Sequence, residues 1–192
     1  MVLERPTQDA SGLPAAAARF PAVIATKRLD LTPAQERDSE AFAALCNNPN
    51  IARMTGSFAL PYLPETAAFF ILKQPSDTRR GLGHHWTVRR AGELIGNISV
   101  FRGCISEDWE VGYWIGEPHW RQGYGTEALR AVVETARELG VTRLTARVFT
   151  DNPASRRLLE RCGFVVTGRE SGHCMARQAV VEGWRLWWQS RP

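Results

Sequence analysis

The stretch that most constrains the fold is residues 109–140, which contains the pattern of a strand, a glycine-containing loop and a long helix. Its first part, Trp109–Ile115, is rich in the aromatic and β-branched residues that suit a pleated sheet, and a Gly-Glu-Pro sequence then ends it. From residue 124 to residue 139 apolar side chains recur at helical spacing, and a glycine that favours a helix C terminus follows. The sequence therefore predicts a strand that leads into a helix through a loop containing Gly123 and Gly125.

This loop has the properties of an anion site. The first backbone N–H groups of a helix lack intrahelical partners and carry partial positive charge, and glycines let a phosphate approach them closely. Arg121 adds a formal charge just before Gly123 and Gly125. The alternative is a plain glycine turn that opens a helix. Residues 123–128 also fit the dinucleotide pattern G-x-G-x-x-A, whereas no G-x-x-x-x-G-K-[ST] sequence is present to indicate a triphosphate loop.

Composition indicates an ordinary globular protein. The chain has 192 residues and a formal charge of +4, carried almost entirely by arginines that are dispersed rather than clustered, which argues against nucleic-acid binding. The four cysteines form no C-x-x-C pair, so we expect neither a metal site nor disulfides, and we expect a cytoplasmic protein. No apolar run reaches the ~20 residues of a membrane helix. We predict that residues 1–21 form a flexible extension, and they lack the pattern of a secretory signal. We predict that residues 22–192 form a single domain.

The remaining chain predicts alternating helices and strands. A hairpin turning at Ala91-Gly92 and a short helix opening at Asn152-Pro153 are the clearest local signals. The predicted strands cover 24–31, 86–90, 93–101, 109–115 and 143–149, with closing strands near 165, 175 and 184–188. The predicted helices cover 33–47, 65–74, 124–139 and the segment after 152, with polar, flexible chain over 75–83. We therefore expect an α+β (mixed α/β) fold whose central sheet has helices on both faces.

Three stretches, in this order and spacing, resemble one known family. They are Thr26-Lys-Arg-Leu-Asp-Leu31, the segment from Glu110-Val-Gly-Tyr-Trp-Ile115 through Gly123-Tyr-Gly125-Thr-Glu-Ala-Leu129, and Asn152-Pro-Ala-Ser155 followed by Gly163-Phe164. Together they resemble the GNAT superfamily of N-acetyltransferases, and within it the branch of the ribosomal-protein N-terminal acetyltransferases. The resemblance spans roughly residues 25–165 and implies a splayed, mostly antiparallel sheet. The region after residue 168 matches this branch poorly.

The resemblance also implies acetyl-CoA as co-substrate, without a metal. The backbone of Trp114 and Ile115 would pair with the pantetheine arm, and Asn152 would reach the pantetheine amide, cap the helix, or do both. The family's loop is usually (Q/R)-x-x-G-x-(G/A), and here Trp120 holds its first position. The residues expected to hold the pyrophosphate are Arg121, Gln122, Gly123, Tyr124, Gly125 and Thr126.

Two residues are candidates for the proton transfers. Glu110 stands in an otherwise apolar strand and is the candidate base that frees the amine, directly or through water; a salt-bridged glutamate is the alternative. Glu117 is a second candidate base, although a place beside proline favours a role in a turn. By resemblance, Ser155 is the candidate acid beside the leaving sulfur, and the alternative is a serine in the first turn of a helix.

The expected activity is transfer of an acetyl group to a primary amine of a protein N-terminus or a small molecule. Two other functions stay open on the sequence alone: a non-catalytic acyl-CoA-binding module, and a dinucleotide-dependent enzyme built on the G-x-G-x-x-A match. A homodimer formed through a closing β-edge is compatible with the pattern. No membrane or nucleic-acid partner is expected.

Overall fold

The computed structural model describes residues 20–102 and 108–190. Within them, eight strands form one sheet with the order β1-β2-β3-β4-β5-β6-β8-β7. The strands are β1 (Ile24–Ala25), β2 (Asp30–Thr32), β3 (Gly83–Arg90), β4 (Glu93–Arg102), β5 (Trp109–Ile115), β6 (Arg143–Phe149), β7 (Val165–Cys174) and β8 (Ala179–Gln189). The helices are α1 (Ser39–Cys46), α2 (Pro49–Ala52), α3 (Pro64–Arg79), α4 (Tyr124–Glu138) and α5 (Pro153–Arg161).

Helices cover both faces of the sheet, as predicted. On one face, α4 and α5 bury residues such as Leu129 and Leu159 against β5 and β6. On the other face, α1 and α3 contribute Phe42 and Ala67 to a second cluster that includes Trp114 of β5. Because side chains alternate along a strand, β5 presents one set of residues to each layer. The predicted α+β architecture is confirmed.

The strand pairing is antiparallel except where β5 meets β6. These two strands run parallel and pair only at Trp109 with Leu144 and at Glu110 with Thr145. Beyond these pairs β5 continues along β4 as far as Ile115, while β6 continues along β8 as far as Phe149. The sheet therefore splits in its middle, which is the splayed form that the resemblance implied.

The helix that dominates the sequence pattern forms as predicted. Helix α4 ends at Glu138, and Gly140 follows with a φ of 74°, a conformation that glycine adopts without steric cost. Its apolar stripe is buried against the sheet, consistent with an amphipathic helix. The buried residues of this stripe are Ala128, Leu129, Val132, Val133 and Ala136.

The prediction of one strand over 24–31 is wrong, because the segment forms two short antiparallel strands, β1 and β2. The Thr26 hydroxyl accepts the Leu29 N–H at 2.9 Å, and the Thr26 N–H donates to the Leu29 carbonyl at 2.8 Å. A local side chain to backbone bond of this kind competes with an extended ladder. The chain therefore turns between the two short strands.

The prediction of flexible chain over 75–83 is also wrong. Helix α3 continues through Pro75 to Arg79, because its last turn is tied to the sheet. The Thr78 hydroxyl donates to the Gly83 carbonyl at 3.1 Å, and Asp77 lies 3.5 Å from the His85 ring. Elsewhere, α2 begins at Pro49, just beyond the helix predicted over 33–47, and the closing strand predicted near 175 is wrong at Met175, which lies in a 3-10 helix between β7 and β8.

The predicted N-terminal extension lies outside the described residues except for its last two positions. Phe20 is only 5% exposed and packs edge-on against Trp86 and Trp109, so the core already includes this residue. The division into an extension and one domain stays a prediction, and the loop predicted after residue 102 lies outside the described residues up to residue 107. Among the residues described, no helix combines the length and apolar character needed to span a membrane.

Candidate active site

A cleft of about 1830 Å³ occupies the split between β5 and β6. Its walls come from both halves of the sheet and from the segment between β5 and α4. Nearly all of the predicted site residues line it: Glu110, Trp114, Ile115, Arg121, Gly123, Tyr124, Gly125, Thr126, Asn152 and Ser155. Gln122 is the exception, because its side-chain amide turns back and donates to the Pro118 carbonyl at 3.2 Å. The structure therefore brings residues of the second and third sequence stretches to one cleft.

The loop before α4 has an unusual backbone. Arg121 and Gly123 both have positive φ values, 63° and 82°. Gly123 is the N-cap of α4 and has no side chain to cap the helix, and the Glu127 N–H is the first to bond back, to the Gly123 carbonyl at 3.0 Å. The amides of residues 124–126 thus keep the unpaired character of a helix start at the edge of the cleft. Such a group of N–H donors is suited to an anion.

Trp120 contacts the strand that was expected to hold pantetheine. Its indole N–H donates to the Ile115 carbonyl at 2.6 Å, although 40% of Trp120 is exposed. One lone pair of this carbonyl is therefore already used. The side chain of Trp114, in contrast, points away from this contact and packs edge-on against Phe42 at 4.8 Å between ring centroids.

Ser155 lies beside a residue that the sequence did not single out. The Tyr113 hydroxyl is 2.8 Å from the Ser155 hydroxyl, and burial raises the pKa of Tyr113 above its ordinary value while the hydrogen bond to Ser155 opposes that rise. Tyr113 therefore keeps its proton at neutral pH. Asn152 caps α5, since its side-chain oxygen accepts the Ser155 N–H at 3.0 Å. The cap holds Ser155 in the first helical turn, where both interpretations had placed it.

The loop that carries Asn152 is tied to the opposite wall of the cleft. Asp151 pairs with Arg177 at 2.9 Å, after β7, and with Arg53 at 3.2 Å, at the end of α2. The hydrogen bond from Arg177, with both arginine charges, holds the pKa of Asp151 below its ordinary value despite partial burial. These pairs restrain the position from which α5 begins.

Glu110 lies at the point where the sheet divides. Its side chain is 14% exposed and pairs with Arg147 of β6, with 2.9 Å between Oε1 and Nε. Arg147 also lies 3.8 Å from Glu170, which binds Arg185 at 2.6 Å. The expected base is thus one member of a row of alternating charges that faces the α1–α3 side. The ion-paired interpretation of Glu110 is observed, and its second oxygen is the one not engaged by Arg147.

Comparison with known proteins identifies the fold. A family model described as an acetyltransferase (GNAT) domain matches residues 28–165, most of the chain. The uncharacterized N-acetyltransferase YoaA of Bacillus subtilis (strain 168) is 34% identical over 154 residues, which are 78% of this chain and 85% of that protein. The chain belongs to the GNAT acetyltransferase family. The family inferred from the three sequence stretches is therefore confirmed.

Other GNAT relatives agree with the branch that the sequence resembles. The ribosomal-protein-serine acetyltransferase of Escherichia coli (strain K12) is 33% identical over 92 residues, 47% of this chain and 51% of that protein. The crystal structure of the microcin C7 self-immunity acetyltransferase in complex with acetyl-CoA and AMP superimposes with a TM-score of 0.78 at 17% identity. That match covers 90% of this chain and 99% of the other, and it shows the shared fold.

The GNAT assignment also accounts for the dinucleotide-like pattern. Residues 123–128 belong to the loop and first turn of the acetyltransferase domain, between a strand that is antiparallel to β4 and the helix α4. A dinucleotide fold would instead require a mostly parallel sheet.

Glu117, the second candidate base, accepts hydrogen bonds from the side-chain amides of Asn48 and Asn50 at 2.5 and 3.1 Å and joins the loop to α2. Within residues 20–102 and 108–190, no group of three or more His, Cys, Asp or Glu residues is arranged to hold a metal ion.

Sequence reasoning missed the roles of Tyr113 and Arg147. Tyr113 was interpreted as one more aromatic residue of a strand, and its contact with Ser155 joins residues that are 42 positions apart. Arg147 was predicted only as part of the strand over 143–149. A usable signal did exist for Tyr113: it lies at an odd position of the strand, on the same side as Trp109 and Val111, and therefore faces α5.

Proposed function

We propose that this protein transfers an acetyl group from acetyl-CoA to a primary amine by direct attack of the amine on the thioester. The observation that carries the proposal is the separation of β5 from β6 after a two-residue contact. This separation opens a cleft that extends to the loop before α4 at one end and contains the Tyr113–Ser155 pair in its interior. A linear thioester could therefore lie with its phosphates at the loop and its reactive carbon within the sheet.

The donor would be held chiefly by backbone groups. The amides of residues 123–126 would bind the pyrophosphate, with Arg121 adding charge from the cleft edge. The pantetheine arm would lie along β5 near Trp114 and Ile115, in the manner of an added strand, and Asn152 would contact its amide. A free strand amide could donate to the thioester oxygen as negative charge develops there.

The leaving sulfur would be stabilised by two coupled hydroxyls. When the amine nitrogen forms its bond to the carbonyl carbon, the carbon–sulfur bond breaks and its electron pair leaves with sulfur. The Ser155 hydroxyl would donate a hydrogen bond to the departing thiolate, while the Tyr113 hydroxyl, 2.8 Å away, donates to the Ser155 oxygen and keeps its own proton; the thiolate leaves the site and takes its proton from solvent. A thiol pKa near 8.5 makes thiolate a fair leaving group, so hydrogen-bond donation without a strong acid is sufficient.

On the acceptor side, Glu110 would take the proton that the amine must lose, directly or through water. Its Oε1 is held by Arg147, which leaves Oε2 for this role. An α-amine has a pKa of about 7.7–8.0 and a lysine about 10.4, so an α-amine needs less help at neutral pH. The E. coli relative is named a ribosomal-protein-serine acetyltransferase. A protein N-terminus is therefore the first acceptor to test, and small-molecule amines are the second.

The first experiment is calorimetric titration with acetyl-CoA, followed by a thiol-release assay with a panel of amines. The panel contains a peptide with a free N-terminal serine, the same peptide blocked at its N terminus, and a polyamine. We expect saturable binding and release of CoA with at least one free amine and none with the blocked peptide. Folded protein that binds no acetyl-CoA would refute the proposal.

Paired variants distinguish the proposed roles. Glu110→Gln and Ser155→Ala are each expected to lower turnover roughly a hundredfold, within the usual range for a proton-transfer group, while acetyl-CoA still binds. Glu117→Gln is the matched control for Glu110, because its carboxylate is engaged with Asn48 and Asn50. Equal loss in both glutamate variants would remove Glu110 from the mechanism.

A second function, binding of acyl-CoA without catalysis, is the alternative that the sequence left open. The Trp120 indole uses one lone pair of the Ile115 carbonyl, so a pantetheine arm in either function would have to pair with the remaining strand groups. Acetyl-CoA binding without thiol release, against every amine of the panel, would support this alternative. Turnover of any amine would eliminate it.

A further inference from the structure

The turn between β1 and β2 is bound to the start of α4. The Thr26 hydroxyl donates to Glu127 Oε1 at 2.8 Å, and the Arg28 N–H donates to the same oxygen at 2.9 Å. The Arg28 Nε donates to the other carboxylate oxygen at 2.6 Å. Although burial opposes it, these bonds hold the pKa of Glu127 below its ordinary value. A segment roughly a hundred positions away in sequence is thus anchored to the first turn of the helix.

From this anchor, Arg28 reaches the anion loop itself. Its Nη1 donates to the Gln122 carbonyl at 3.0 Å, and its guanidinium lies 4.7 Å from the centre of the Tyr124 ring. In a planar trans peptide the carbonyl and the following N–H point in opposite directions. Holding the Gln122 carbonyl on Arg28 therefore directs the Gly123 N–H away from Arg28.

The loop needs such a restraint. Arg121 and Gly123 both adopt left-handed conformations, and for a residue with a side chain this is a strained state that persists only when its surroundings enforce it. Arg28 provides a contact on the intervening residue, Gln122. Since Arg28 itself does not line the cleft, its influence on a bound phosphate passes through the loop.

We propose that Arg28 is a positioning residue that, anchored by Glu127, holds the Gln122–Gly123 peptide in the orientation that binds the donor's phosphates. This inference rests on the proposed binding of acetyl-CoA. It gives a physical role to the opening Thr-x-Arg stretch, which the proposed chemistry leaves without one. Neither residue touches the reacting atoms, so both act on the affinity for the cofactor rather than on the transfer step.

Two charge changes of opposite sign separate positioning from simple electrostatics. Arg28→Met removes both the loop contact and a positive charge, and is expected to weaken CoA binding roughly tenfold, a difference of about 1.4 kcal/mol. Glu127→Gln makes the region more positive but breaks the anchor on one side, because an NH2 donor replaces one of the two oxygens that accept from Thr26 and Arg28. A purely electrostatic role predicts tighter CoA binding in this variant, whereas positioning predicts weaker binding.

Arg90→Met is the matched control. The Arg90 guanidinium also lies over the Tyr124 ring, at 5.6 Å, so the variant removes the same charge from the same ring without removing the bond to Gln122. Calorimetric titration of the four proteins with CoA is expected to rank Arg90→Met near the wild type and the other two variants well below it. Binding in Glu127→Gln as tight as in the wild type would overturn the inference.

Amide hydrogen exchange in the unliganded proteins tests the same inference without any ligand. Exchange of the first hydrogen-bonded amides of α4, beginning with the residue 127 N–H that bonds the Gly123 carbonyl, is expected to be faster in Arg28→Met and Glu127→Gln than in the wild type, with Arg90→Met unchanged. Unaltered exchange in both variants would overturn the positioning role even if acetyl-CoA binding stands. If the wild type binds no CoA, the proposed function fails, and the exchange result still decides the role of Arg28.

Discussion

Replacing Arg121 by glycine is expected to stabilise the fold while weakening the binding of acetyl-CoA. At a φ of 63° the Arg121 backbone is left-handed, which costs a residue with a Cβ about 1–2 kcal/mol. Glycine removes this strain, but the greater conformational freedom of glycine in the unfolded chain lowers the free energy of unfolding by about 0.5–1 kcal/mol. The net gain is about 0–1.5 kcal/mol, which for a domain of this size raises Tm by up to about 6 °C.

The same substitution removes a charge at the edge of the cleft. If Arg121 reaches the bound pyrophosphate, the glycine variant should bind acetyl-CoA severalfold more weakly, and the difference should shrink as salt screens the charge. If the arginine faces solvent in the complex, the affinity should stay the same. Differential scanning calorimetry measures the first effect and titration at two salt concentrations measures the second.

Gln178→Gly is the matched control for this experiment. Gln178 also has a positive φ, 49°, and lies in the turn before β8, away from the loop. It should gain a similar increment in Tm without any change in acetyl-CoA affinity. A Tm that falls in Arg121→Gly while it rises in Gln178→Gly would refute the strain argument for the loop.

Three further outcomes follow from buried contacts. Tyr113→Phe keeps the ring but removes the hydroxyl that bonds Ser155 at 2.8 Å, and should lower kcat roughly tenfold with the acetyl-CoA KM unchanged in steady-state assays. Burial lowers the pKa of His85 to about 4 against an unfolded value near 6.5, so its contribution to unfolding free energy is lost as pH falls from about 6.5 to 4. His85→Asn should make denaturant-measured stability less sensitive to pH in that window; the groups facing the ring are Asp77, Lys73 and His84. A Cβ on Gly125 would lie 2.8 Å from Leu158, so Gly125→Ala should lower Tm by a few degrees, and its effect should be smaller when measured in a Leu158→Ala background.

Local sequence patterns were sufficient to predict the elements whose structure depends on neighbouring residues. The apolar stripe of α4, the turn at Ala91-Gly92 and the Asn152 cap are each encoded within a few residues, and all three are observed. Prediction failed where distant contacts override a local signal. Pro75 predicts a break, yet the bond from Thr78 to Gly83 and the proximity of Asp77 to His85 keep α3 helical beyond it.

The candidate site divides in the same way. Most of the predicted site residues line one cleft and remain a prediction as a site, and the partners of their side chains could not be predicted. Glu110 with Arg147, Tyr113 with Ser155, and Arg28 with Gln122 are pairs separated by tens of positions, which no periodicity encodes. They follow only from the order of the strands and the packing of helices upon them.

The register of β5 determines the positions of both Tyr113 and Glu110. Tyr113 faces the α4–α5 layer and Glu110 the opposite layer, so Ser155, held by Tyr113, and the proposed base Glu110 would approach the split sheet from its two sides. A shift by one residue would exchange these faces and separate Tyr113 from Ser155. Continuous pairing with β4 over all of β5 opposes that shift, as does Gly96, where an added Cβ would lie 2.5 Å from the Trp114 carbonyl. The close fit of β4 against β5 is therefore a condition for assembling the site as well as for stabilising the sheet.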